Sequence, residues 1–226
     1  MKDDIGAQTH ARILQAALEL FSARGFAGTG IRDIAKASGL KSSGLYHYME
    51  TKDDLLFEII QQGLVASFEA SNQSIAGVDD PIARIVALIA TTVIIHAEYQ
   101  RTYLVIDNEF HFLHGDTLSS TIALRDQIDT LWNHALADGV AANAFTINDP
   151  NLTRLSLLSM YGGIVHWYSP RGSASVPELA ARLADLGLAM LRVDRRRARA
   201  HILDSDSAAM TRIVDIVRST HLNLPV

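Results

Sequence analysis

Apolar residues recur along this chain at intervals of three and four rather than in alternation. Ile13, Ala17, Leu20 and Phe21 share one helical face, and Leu55, Ile59, Ile60 and Leu64 share another. No alternating β-branched run sits between turn dipeptides, so the pattern predicts helices and no strands. Polar punctuation sets the helix starts. Thr51 precedes Lys52, Asp53 and Asp54, a cap followed by an acidic first turn that complements the helix dipole. Asp80-Pro81 and Asp149-Pro150 each place a capping carboxylate before a proline, whose missing N–H costs nothing in the first turn. Ser175 and Glu178 have the spacing of a capping box. The pattern predicts short helices over 9–24, 31–38 and 42–48 and a long one over 52–76. Further helices follow over 81–97, 99–112, 117–138, 150–168 and 176–193, with a last one near 206–219. The fold class is all-α, with a small helical head in residues 1–51 and a larger helical body in 52–226.

Within the head, Ile31, Ile34 and Ala35 give one short helix a buried face. Ser38-Gly39-Leu40 then makes a tight turn, with Gly39 where a left-handed backbone is needed. A second short helix begins near Ser42 and buries Leu45 with Tyr48 or Met49. Two short helices joined by a glycine turn form a helix-turn-helix, whose second helix enters the major groove of DNA. Ser42, Ser43 and Gly44 leave the start of that helix without bulk, so it approaches base edges closely. Tyr46, His47 and Tyr48 at its end have the reach for phosphates and bases, although Tyr48 also reads as a packed aromatic. Charge agrees with this. Residues 9–52 carry six basic and three acidic side chains, and the remainder carries 14 basic and 22 acidic ones. A basic head on an acidic body suits a head that meets a polyanion while the body stays away from it.

These residues resemble the DNA-binding head of the TetR family of bacterial repressors. The resemblance lies in Ala17-Leu18-Glu19-Leu20-Phe21, Gly25-Phe26, Thr29, Ile34-Ala35, Gly39-Leu40, Leu45-Tyr46-His47-Tyr48-Met49, Lys52 and Leu55, within the first quarter of the chain. It implies that Ser42, Ser43, Gly44 and His47 face bases and that Tyr46 and Lys52 hold phosphates. Lys52 would be assisted by the free N–H groups of its helix start, and Lys41 and Thr29 are further phosphate contacts. Gly30 stands where the family often has a capping hydroxyl, and Met49 where phenylalanine is usual. The implied partner is a double-stranded DNA operator bound by a homodimer, because one short helix reads too few bases. The family dimerises through the last two helices of its body. Here these would carry Leu152, Leu155, Ser159, Gly162, Gly163 and His166, then Leu179, Leu183, Leu186 and Met190, although the second stripe also reads as facing its own core.

The family's body holds a small-molecule effector. His96, Tyr99, Tyr103, Asp107, His111, Trp132 and His134 are polar groups in apolar sequence. Each taken singly also reads as a satisfied core or surface position. The segment from His166 to Gly172 resembles the Trp-Tyr segment of family members that regulate fatty-acid and steroid breakdown, many of which respond to acyl-coenzyme A thioesters. Tyr103, Asp107, Trp132, Trp167 and Arg171 are therefore the effector-binding candidates. Trp167 would stack on adenine or line an acyl tunnel, and Arg171 would pair with a phosphate.

Other chemistries find little support. The absence of cysteine removes thiol catalysis, thiolate zinc sites and iron–sulfur clusters. Glu109, His111 and His114 lack the His-Glu-x-x-His arrangement of a hydrolytic zinc site, and no nucleophile elbow, phosphate loop or dinucleotide fingerprint is present. The reading calls for no metal, no cofactor and no enzymatic activity. A helical small-molecule sensor or carrier without DNA binding is the rival, supported by Gly30 and the small charge excess. The longest apolar run, Ile82–His96, falls short of a membrane span, and the N-terminus lacks the basic-then-apolar order of a signal peptide. A cytoplasmic protein without a membrane partner is expected. Two features fall outside the family pattern. The arginine-rich stretch Arg192–Arg199 reads as a helix-end charge cluster, and Met210, Ile213, Val214 and Val217 predict an amphipathic tail helix that must dock on the body or on a partner subunit.

Overall fold

The structure, a computed structural model, describes residues 2–225, with side chains from residue 6. Among the described residues every regular element is helical. The helices are α1 (Lys2–Arg24), α2 (Ile31–Ala37), α3 (Ser42–Leu45), α4 (Lys52–Ile75), α5 (Pro81–Glu98) and α6 (Gln100–Glu109). A 3-10 turn, Phe110–Phe112, follows. Then come α7 (Gly115–Ala141), α8 (Pro150–Gly162), α9 (Ile164–Trp167), α10 (Val176–Met190), α11 (Arg195–Ala200) and α12 (Ala208–Thr220).

The expected caps form. Asp80 Oδ1 accepts from the Ile82 and Ala83 N–H groups at 2.9 Å, and Asp149 Oδ1 accepts from Leu152 N–H at 2.9 Å. Thr51 and Asp54 exchange two hydrogen bonds, and Ser175 and Glu178 share three. The helix predicted over 42–48 is shorter than expected, because the chain leaves α3 at Tyr46 and continues as turns. That predicted over 150–168 breaks at Gly162-Gly163, where two glycines supply no helix propensity. The expected 99–112 helix tightens into its 3-10 turn after Glu109. Sequence periodicity missed α11 altogether, since a run of arginines has no apolar face to read.

The chain forms two compact units. The first comprises Met1–Leu64, Arg101–Ala123 and Asn223–Val226. Its core is built from Ile13, Ala17, Leu18 and Phe21 of α1, Ile34 of α2, Leu45 of α3, and Leu55, Leu56, Ile59 and Ile60 of α4. Phe26 packs its ring 5.3 Å from Phe21 and 4.9 Å from Phe112. Tyr103 donates its hydroxyl to the Gly63 carbonyl at 2.7 Å. A side chain at Gly63 would lie 2.6 Å from Ile106 Cδ1, so the glycine is what lets α4 and α6 approach.

The second unit comprises Val65–Gln100 and Leu124–Leu222. Its centre is α5, apolar almost all round and covered by α8, α10 and α12. At 18 residues α5 is longer than Ile82–His96 and is long and apolar enough by composition to cross a membrane, yet 67% of it is buried inside this chain. Burial on all sides accounts for its composition. The tail stripe behaves as expected: Met210, Ile213, Val214 and Val217 are the buried residues of α12 and face α5. Arg218 closes the contact with two hydrogen bonds to the Glu98 carboxylate. The next residue after α12, His221, stacks on Tyr99 with ring centroids 4.4 Å apart.

Candidate nucleic-acid interface and effector site

The turn between α2 and α3 is built as its sequence demands. Leu40 N–H returns to the Ala35 carbonyl at 2.8 Å, and Ser38 donates its hydroxyl to the Ile34 carbonyl at 2.8 Å. Gly39 has φ +72°, and the space that a Cβ would occupy there is open, so the requirement for glycine is conformational rather than steric.

Leu45 and Met49 anchor α3 and the following turn in the core. That orientation leaves Lys41, Ser43, Tyr46 and His47 exposed and Ser42 and Gly44 half-exposed. Tyr46 is 55% exposed, and its large ring has no core to fill. The open space around Gly44 leaves the backbone accessible to a neighbouring surface. These six positions share one short segment of the first unit. Arg32 and Lys36, four residues apart and both exposed on α2, add two cations that the motif-based reading did not single out. Their helical spacing was the available signal.

Two of the expected phosphate contacts are corrected. Thr29 is 2% exposed, and its hydroxyl donates to the Gly25 carbonyl at 2.9 Å, which ties down the end of α1 instead of reaching outward. Lys52 turns its ammonium inward. Nζ donates to the carbonyls of Phe26 at 2.7 Å and Thr29 at 2.9 Å and lies 3.9 Å over the Phe26 ring. The carbonyls after α1 need donors because their own helix has ended, and Lys52 supplies them. It staples α4 to the segment between α1 and α2.

The effector candidates fall into different places. In the first unit Tyr103 is buried with its hydroxyl on Gly63, whereas Asp107 is exposed one turn later on α6. In the second unit Trp132 is fully buried, and Trp167 and Arg171 are exposed at the end of α9 and in the following loop. Among the other polar residues, His96 bonds the Thr92 carbonyl through Nδ1 at 2.8 Å, and burial pushes the Tyr99 hydroxyl above its ordinary pKa. A cleft of about 580 Å³ in the second unit is bordered by Asn72, Val78, Arg84, His134 and Asp138, and Arg84 is held there by Asp138 and the Val78 carbonyl.

The expected dimer stripe divides. Leu152 and Leu155 on α8 and Leu186 and Met190 on α10 are exposed, as are Ser159 and His166. Leu179 and Leu183 are instead buried in the second unit's own core. The four-three-four spacing keeps all four on one face of α10, so the stripe divides by what covers that face along its length.

Comparison with known proteins settles the family. A family model described as "Bacterial regulatory proteins, tetR family" matches residues 13–59, and one described as "Tetracyclin repressor-like, C-terminal domain" matches residues 78–191. The chain belongs to the TetR family. It is accordingly a helix-turn-helix transcriptional regulator and not an enzyme. The HTH-type transcriptional repressor KstR2 of Rhodococcus jostii is 28% identical over 190 residues, covering 82% of this chain and 93% of that protein. The TetR-family regulator PfmR of Thermus thermophilus superposes with a TM-score of 0.72 at 28% identity, covering 80% of this chain and 98% of the other. The fold also matches AibR, solved with isovaleryl coenzyme A and operator DNA, at a TM-score of 0.72 and 24% identity, covering 81% of this chain and 97% of that one. The rival carrier reading is not favoured, because the match to the tetR head spans Gly30, the departure on which it rested. Both family models end before the arginine helix α11 and the tail helix α12.

Proposed function

We propose that this regulator binds a pseudo-palindromic operator as a cytoplasmic homodimer and is released by a small-molecule effector of the acyl-coenzyme A class. The observation that carries the reading is the cluster of Lys41, Ser42, Ser43, Gly44, Tyr46 and His47, outward-facing around a helix whose apolar residues are anchored beneath it. Ser42, Ser43, Gly44 and His47 would meet base edges, and Lys41 and Tyr46 the flanking phosphates, joined by Arg32 and Lys36. Residues 1–51 would read DNA, and 52–226 would hold the effector and the dimer contacts.

The exposed apolar residues Leu152, Leu155, Leu186 and Met190 support a paired face, since a lone subunit would leave them in water. Trp167, 57% exposed and four residues before the exposed Arg171, supports recognition of a ligand with an aromatic base and phosphates. The effector would act by preferring one of two dimer shapes that hold the heads at different spacings.

Selection of duplexes from fragmented source DNA at physiological salt tests the operator reading, with enrichment of a palindrome expected. Tyr46→Phe should lower affinity for that duplex about tenfold while the dimer stays folded, the loss of one phosphate hydrogen bond. Full affinity in this variant removes Tyr46 from the interface, and no enrichment with or without an acyl-coenzyme A refutes operator binding.

A further inference from the structure

Two buried side chains in the second unit carry N–H donors that no acceptor among the described residues answers. Trp132 on α7 is 0% exposed, and nothing accepts from its indole Nε1. Arg154 on α8 is 8% exposed, and its Nε is likewise unanswered. The guanidinium is otherwise occupied: one terminal nitrogen donates to Asn151 Oδ1 at 3.1 Å, and the other lies against the Asp129 carboxylate, off the direction of a hydrogen bond. Interiors rarely leave such donors unpaired, because each loses its water on burial and gains nothing in return.

Both donors belong to one seam. Asp129 and Trp132 are three residues apart on α7, and Arg154 and Tyr161 are seven apart on α8, so each pair occupies one helical face. Asp129 touches Arg154, and the Trp132 ring lies 6.1 Å from that of Tyr161. The facing rows are therefore α7 on α8, with Leu136 and Leu157 among the buried apolar residues they contribute. Indole Nε1 and guanidinium Nε can only donate, so the group that answers them must accept.

We infer that the α7–α8 seam takes the polar end of the effector, an apolar ligand whose acyl carbonyl accepts a hydrogen bond from Trp132 Nε1, with Arg154 Nε a second donor on the facing helix. This rests on the effector reading above and specifies it. Octanoyl-coenzyme A and octanoate present the same chain with a thioester and a carboxylate end. Closing on a carbonyl gives the site selectivity, because a ligand lacking the acceptor would leave both donors unpaired as they are now.

The chain has two tryptophans, so protein labelled with nitrogen-15 tryptophan shows two indole N–H resonances, which Trp167→Phe assigns. In ligand-free protein the Trp132 indole proton is expected at an unbonded position, and octanoyl-coenzyme A should shift it downfield. Replacing Trp132 by 3-benzothienyl-alanine, which keeps the shape and removes the N–H, should weaken octanoyl-coenzyme A binding about tenfold. A hydrogen-bonded indole in the ligand-free protein overturns the assignment, since an internal water then answers the donor. Binding of either probe with an unmoved indole, or with undiminished affinity in the isostere, overturns it while leaving the effector reading intact. Failure of both probes to bind or to release operator overturns both.

Discussion

Acid should undo the docking of the tail through His221. The ring is 1% exposed, packs on Tyr99 and directs Nδ1–H at the Val217 carbonyl 2.8 Å away. Burial holds its pKa down from 6.5 to about 4; the Val217 carbonyl opposes this by favouring the charged ring, and nearby His96 adds to the depression. The folded protein thus holds the neutral imidazole where the unfolded chain would already be protonated. The contribution is complete above the unfolded pKa of 6.5 and is lost as pH falls through that value toward 4. Each pKa unit corresponds to about 1.4 kcal/mol, so the depression amounts to roughly 3 kcal/mol at pH 7. By pH 5 about 2 kcal/mol of that has gone. Urea unfolding of the wild type and His221→Phe at pH 7, 6, 5 and 4 isolates the effect, since phenylalanine retains the ring against Tyr99 and does not titrate. The wild type should lose about 2 kcal/mol more than the variant between pH 7 and 5. Parallel stability curves for the two proteins would show that His221 does not remain buried and neutral in the folded chain.

Two further tests address the staple and the paired face. Lys52→Met keeps an aliphatic stem near Phe26 but removes both carbonyl contacts, and should cost about 2–3 kcal/mol in urea unfolding. An unchanged stability would mean that the ammonium is free for phosphate, as the motif alone suggested. Leu155→Glu combined with Leu186→Glu places charge on an exposed apolar face and should yield monomers in sedimentation equilibrium, with operator affinity at least about a hundredfold weaker. A dimer that survives both charges pairs elsewhere.

The contrast between Lys52 and Tyr46 marks what the sequence could disclose. Local signals were legible wherever a residue acts on its own neighbourhood. The carboxylates Asp80 and Asp149, the left-handed Gly39 and the α12 stripe each act within a few residues, and each does what its spacing implied. Tyr46 could be placed at the surface because the family resemblance sets it against phosphate, and Leu45 beside it goes inward. Lys52 could not be judged in this way. Its partners, the carbonyls of Phe26 and Thr29, lie 26 and 23 residues earlier, and a backbone carbonyl leaves no mark in a sequence. The same reason separates Leu179 and Leu183 from Leu186 and Met190, which belong to one apolar stripe but face different surroundings. It also explains Trp132, which composition could flag as polar within an apolar helix but not as a buried donor without an acceptor. Which neighbour a polar atom has, or lacks, is decided by tertiary packing. The outward face of α3 was legible because it is exposed and close to its own anchoring residues, whereas the surroundings of Lys52 and Trp132 are set by segments distant in sequence.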